Sequence, residues 1–255
     1  VFYLITRRPY RGLNWNVLHR RAMLDELRRN TRSMQEQFGE RLLQATAMGL
    51  TPDYNTLVDD YWKLRLRRVM HAWKGQHLPQ IVTHDLDDPD DDVLKQLRYL
   101  DLVNRPEDPV KVVYHPDFIS STDPLFGMEY DQFVRGCHLG IFPSFYEPWG
   151  YTPLECVARG VPAVTSDLAG FGSYLQANVS NPEKRGVHVL PRRFETFDAS
   201  ADALANRLMN FCSQTRRQRI TMRNRVESHS DQFDWQVLGK RYREAHKQVR
   251  EMTGR

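Results

Sequence analysis

The stretch IFPSFYEPWGYTPLECVARG, residues 141–160, decides the fold. It grows out of a short apolar run, 137–142, which ends at Pro143 and Ser144 and predicts a buried strand. A turn containing Pro148 and Gly150 follows, and then a helix start. Thr152 suits an N-cap, Pro153 a first-turn position, and Glu155 falls three residues after the cap. The order strand, turn, helix puts residues 146–151 at the carboxyl end of a strand, where open α/β sheets bind ligands. Free backbone N–H groups and the positive end of the helix suit a phosphate there.

Two carboxylates frame this turn, Glu147 on the loop and Glu155 in the first helical turn. The chain reverses between them, so both can face one pocket from different heights. The local pattern also admits a plainer reading, in which Glu155 closes a capping box with Thr152 and Glu147 is a solvated loop acid.

Working outward, strand-like and helix-like segments alternate. Residues 1–6, VFYLIT, read as a buried parallel strand. From Asn16 the pattern turns helical and very basic, and it runs through 41–48 until Gly49 and Pro52 stop it. A second helix is expected over 54–73, with Trp62, Leu66, Val69 and Trp73 on one face. That face either packs on the parent domain or buries against a partner copy. Residues 78–82 read as a short extended piece passing close to the active site. The acidic run 85–92 precedes a helix expected over 93–102, and acids gather naturally before a helix. Its D-x-D spacing, which could hold a metal and a diphosphate, is the less favoured reading. Further strands are expected over 110–114, 162–165 and 187–190, and helices over 130–135, 201–212 and most of 214–252. The loop 166–172 carries Gly170 and Gly172, which permit close approach to a ligand. Strands alternating with helices predict a doubly wound parallel sheet of the Rossmann-like α/β class.

The chain of 255 residues is 40% hydrophobic and 27% charged, and its net charge of +4 is too small by itself to imply nucleic acid. Scattered arginines without an aromatic-studded basic groove also speak against a nucleic-acid partner. Three cysteines, Cys137, Cys156 and Cys212, show neither a disulfide framework nor metal spacing and fit a reducing compartment, so a cytoplasmic protein is expected. No apolar run is long enough to span a membrane. The chain begins at Val1 within a strand-like run, as a fragment of a longer protein would. Near the other end, Arg216, Arg219 and Arg223 share one face if their segment is helical, with Arg217 to one side and Arg225 opposite. Such a stripe is either a solvated basic face or a grip for an anion, since guanidinium groups suit phosphate.

The segments VKVVYHPDF, YDQFVRGCHLGIFPSFYEPWGYTPLEC, GVPAVTSDLAGFG and QTRRQRITMRNR resemble the C-terminal nucleotide-binding domain of animal and fungal glycogen synthases, retaining glycosyltransferases of the two-domain GT-B type. The resemblance implies a donor-binding domain over 1–213 with a helical insertion at about 16–75, and a regulatory helical segment over 214–255. The N-terminal acceptor domain, and cations near the first strand that grip the diphosphate, lie outside this chain, so the fragment alone is expected to be inactive. The implied reaction moves glucose from UDP-glucose to the non-reducing end of an α-1,4-glucan, with no cofactor and no metal.

The same resemblance implies roles for single residues. Tyr130 and Phe118 would pack around uracil, and Glu155 would accept hydrogen bonds from the ribose. The N–H groups around Gly150, Tyr151 and Thr152 would face the diphosphate. Trp149 would wall the sugar. Glu147 would support positive charge at the anomeric carbon, by electrostatics and positioning or equally beside a front-face attack by the acceptor. With Glu155 occupied by ribose, the pair does not match the two-carboxyl scheme of retaining glycosidases. Arg219 and Arg223, with Arg216 and His138, would bind glucose 6-phosphate as an activator. Assembly into a homo-oligomer through the helical insertion, and a glycogenin-like primer protein, are further implied partners. The alternatives are another nucleotide-sugar GT-B transferase, or a non-catalytic module that binds phosphate groups or aids assembly.

Overall fold

The computed structural model describes residues 1–74 and 78–254, and these form two compact units, Val1–Phe118 and Ile119–Arg255. The last position of the expected helical insertion, 75, lies outside the described residues.

The first unit runs β1 (Phe2–Ile5), β2 (Tyr10–Leu13), α1 (Trp15–Ala47), α2 (Tyr54–Leu57), α3 (Asp60–Trp73), β3 (His84–Leu86), α4 (Asp92–Tyr99) and β4 (Val112–His115). β1 and β4 pair in parallel, Phe2 opposite Val112 and Ile5 opposite His115. β1 is parallel as expected but not buried, because its residues alternate between half-buried and exposed, with Tyr3 and Ile5 open to solvent. Val82, in the expected extended piece, bridges to Tyr114 in parallel. β2 and β3 form an antiparallel pair that the apolar pattern does not announce. The acidic run supplies part of that pair and the cap of the next helix. Asp91 accepts from the Leu94 N–H at 2.9 Å and pairs with the Arg8 guanidinium at 3.1 Å. The helix expected over 54–73 is broken. Asp53 caps α2 through the Thr56 N–H and Asp59 caps α3 through the Trp62 N–H, so two aspartates start two helices where the apolar stripe suggests one. Trp62 and Val69 are buried in the first unit, and the Trp62 indole N–H donates to Gln37 of α1 at 2.7 Å. Trp73, at the end of the stripe, is exposed.

The second unit runs α5 (Tyr130–Gly136), β5 (Gly140–Ile141), α6 (Tyr151–Ala158), β6 (Ala163–Ser166), α7 (Gly170–Asn178), β7 (Val187–Leu190), α8 (Phe197–Cys212), α9 (Arg216–His229) and α10 (Trp235–Thr253). Three strands pair in parallel in the order β5-β6-β7, with Val164 of β6 opposite both Ile141 and His188. Parallel strands need crossovers, and helices supply them here. Val157 of α6, Phe171 and Leu175 of α7, Val187 of β7, Val226 of α9 and Phe233 form the main buried cluster, which fixes the helices to the sheet. A smaller one, Val134, Cys156, Val161 and Ala163, lies under α5. The molecule is therefore α/β, with parallel ladders and connecting helices. Among the described residues no helix is long and apolar enough to cross a membrane.

Candidate active site

The strand expected over 137–142 is short: β5 is only Gly140–Ile141, although the Phe142 N–H still reaches the Val164 carbonyl at 2.8 Å. Beyond it the chain turns through 143–150 into α6. That helix starts differently from the sequence pattern. Its N-cap is Gly150, not Thr152, with φ +103°, a left-handed conformation costly for residues bearing a Cβ. Entering at Gly150 places Tyr151 at the first helical position and Thr152 inside the helix, so the expected capping box between Thr152 and Glu155 does not form. Among the described residues no side chain caps this end, which leaves the first N–H groups of α6 to water or a ligand. A Cβ on Gly150 would lie 3.4 Å from Glu147 Oε2, an ordinary contact, so it is the left-handed φ that calls for glycine here.

Glu147 is half-buried. The Ser144 hydroxyl donates to its Oε2 at 3.0 Å, and its backbone carbonyl accepts from the Gly170 N–H at 3.0 Å. The loop is thus tied to the start of α7, where Glu147 and Ala169 bridge in parallel. Gly170 and Gly172, expected to permit close approach to a ligand, permit close approach of the protein's own backbone. A Cβ on Gly170 would overlap the Pro148 carbonyl oxygen, and one on Gly172 the Ser166 carbonyl oxygen. Both glycines let α7 press against the protein's own backbone, and the loop expected over 166–172 is already helical from Gly170.

Trp149 turns its indole onto α7, edge-on to Phe171 with centroids 5.8 Å apart and tilted against Tyr174 at 5.6 Å. Tyr151 is exposed and Thr152 half-buried. Glu155, half-buried on α6, lies near Tyr130 at the start of α5. Burial pushes the Tyr130 phenol up to about 12, with smaller contributions from the Cys156 thiol and the Glu155 carboxylate. Glu147, Glu155, Trp149, Gly150, Tyr151, Thr152 and Tyr130 all belong to the second unit. Phe118 is the last residue of the first; it is exposed, with the Arg7 guanidinium 5.7 Å from its ring centroid.

The arginine segment is a continuous helix, as the stripe requires. α9 begins with a full capping box between Thr215 and Gln218, a T-x-x-Q signal legible in the sequence. Arg223 is half-buried and donates to the Cys137 carbonyl at 2.8 Å and the Arg135 carbonyl at 3.1 Å. It thereby holds α9 against the end of α5, next to the exposed His138. Arg219 donates to the Gln214 carbonyl at 2.9 Å, and Arg216 is exposed.

Several residues at the carboxyl ends of the strands are absent from the sequence-based site. The Arg192 guanidinium, beyond β7, donates to the Pro143 carbonyl and lies 5.3 Å over the Phe145 ring. Asp167, beyond β6, accepts from the Arg192 and Arg193 N–H groups at 2.9 and 3.1 Å. These contacts lace the three loops together. They join residues far apart in sequence, and only the exit points of the strands could have hinted at them.

The sequence model of the glycogen synthase family matches residues 1–253. The chain belongs to the glycogen synthase family. It is 43% identical over 248 residues to the human liver glycogen [starch] synthase, covering 96% of this chain and 35% of that protein. The Caenorhabditis elegans glycogen [starch] synthase is 42% identical over 244 residues, again 96% of this chain and 36% of the relative. In Dictyostelium discoideum the corresponding protein is 38% identical over 247 residues, 96% of this chain and 28% of its own length. The chain therefore spans about a third of the length of the glycogen synthases it matches.

Proposed function

We propose that this chain is the donor-binding part of a glycogen synthase that transfers glucose from UDP-glucose to the non-reducing end of an α-1,4-glucan with retention. The family match over nearly the whole chain carries this reading. The site agrees with it: a tethered carboxylate, Glu147, stands beside an uncapped helix end at the carboxyl side of parallel strands. In this reading the α6 N–H groups take the diphosphate, where charge grows as UDP leaves. Glu155 holds the ribose, and Tyr130 packs on the uracil. Trp149 walls the sugar, and Glu147 stabilises positive charge at the anomeric carbon. The doubly wound GT-B architecture, with donor domain 1–213 and regulatory segment 214–255, is part of the same proposal.

Regulation by glucose 6-phosphate through Arg216, Arg219, Arg223 and His138 also belongs here. Arg223 supports it, since its guanidinium already joins α9 to the residue before His138. An effector that binds one arrangement of such a joint better than another shifts the population. Cytoplasmic location, assembly through the α1–α3 arm and a glycogenin-like primer complete the reading. The test is to supply the full-length parent with UDP-glucose and glycogen and follow both UDP release and the anomeric signals of the product by proton NMR. Stoichiometric UDP release with new α-1,4 linkages is expected. Transfer only to small non-glucan acceptors, or β-linked product, would overturn it.

A further inference from the structure

We infer that Ser144 is a positioning residue for Glu147, buttressed by Ser166 from the neighbouring strand; the inference rests on the reading of Glu147 as the carboxylate facing the transferred sugar. A glutamate on a loop has three side-chain torsions to fix, and a carboxylate that must meet a charge developing at one carbon gains from having them fixed beforehand. The Ser144 hydroxyl does this: it donates to Glu147 Oε2 at 3.0 Å. Oε2 is thus engaged by the protein.

Ser144 is itself held. The hydroxyl of Ser166, a fully buried residue at the end of β6, donates to the Ser144 carbonyl at 2.6 Å. Ser166 in turn accepts the Ala169 N–H at 3.2 Å through its own carbonyl, and Gly172 of α7 packs directly on that carbonyl. The order of support therefore runs from the start of α7 to the end of β6, to Ser144, and to the carboxylate. A serine that merely ended a strand would need no hydroxyl at this point. Here both the side chain and the carbonyl of Ser144 are used, one towards the carboxylate and one towards the sheet.

The experiment is a double-mutant cycle in the full-length parent, with kcat and donor KM measured for Ser144→Ala, Glu147→Gln and the pair together. Ser144→Ala is expected to lower kcat about tenfold with donor KM within about twofold, and to add nothing once Glu147 is glutamine. Ser144→Thr keeps the hydroxyl and should recover most of kcat. Ser166→Ala should give a smaller fall, about threefold, again in kcat and not in KM. Equal losses from Ser144→Ala in the wild-type and Glu147→Gln backgrounds would overturn the inference, as would an unchanged kcat in Ser144→Ala. If Ser144→Ala does not fold, the Ser144→Thr and Ser166→Ala kcat values decide in its place. Undiminished turnover of Glu147→Gln alone would instead remove the reading on which the inference rests.

Discussion

The helical arm of the first unit and the loops around Glu147 in the second are built on different terms. α1 has 33 residues, of which only Asn30 is buried, whereas α7 has nine and buries Phe171, Gly172 and Leu175. The arm is held by local means: helix caps, an Arg41–Asp59 ion pair at 2.6 Å, and one stripe of contact between α1 and α3. The loops are held by contacts across the sequence: backbone pressed on backbone at Gly170 and Gly172, and the Ser166, Asp167 and Arg192 side chains reaching neighbouring loops. A long helix can be read from its period, and the assembly of a site cannot.

Alanine at two glycines makes the sharpest contrast. Gly170→Ala forces a Cβ into the Pro148 carbonyl and should destabilise the parent by about 2–3 kcal/mol, with loss of activity, since packed backbone cannot retreat cheaply. Gly39→Ala, in the exposed middle of α1 with nothing within 4 Å of its Cβ, should stabilise by about 0.5–1 kcal/mol. Melting temperatures of the two variants check both signs; a tolerated Gly170→Ala would erase the contrast.

Arg219→Ala/Arg223→Ala should remove activation by glucose 6-phosphate while basal turnover stays within about threefold. Activity assays with and without the sugar phosphate measure this, and activation of wild-type size and midpoint would reduce the arginines to structural contacts. Both arginines have such a role as well, so the double variant should also melt earlier, by the loss of three hydrogen bonds from charged donors.

The smallest effect on stability is expected at Glu155. With Gly150 as the N-cap, Glu155 closes no capping box, and Glu155→Ala should change stability by less than about 0.5 kcal/mol. Its UDP affinity should fall about tenfold or more. Calorimetric titration of UDP beside a thermal melt separates the two, and a large drop in melting temperature would restore a capping role.

The strand at Val187–Leu190, the helix starting at Tyr130 and the α9 helix were all legible, because each carries a clear period or cap. The β2–β3 pair was not, since Tyr10–Leu13 and His84–Leu86 are short, polar and distant in sequence. In the site, Glu147 and Glu155 stood out by residue type and spacing. Ser144, Ser166, Asp167 and Arg192 did not, because each acts on a residue brought near only by the sheet. The cap at Gly150 was misread for a related reason. Thr152 has the better intrinsic cap chemistry, but the turn enters the helix through a left-handed residue, and glycine takes that conformation at low cost.

Turnover of Glu147→Gln in the full-length parent, with UDP affinity measured alongside, tests most directly whether this loop is where the sugar is transferred. The exchange keeps the shape and removes the charge. The account predicts a fall in kcat of roughly a thousandfold or more with UDP affinity nearly unchanged, because the charge acts chiefly in the transition state. A variant that keeps more than about a tenth of wild-type turnover would contradict it.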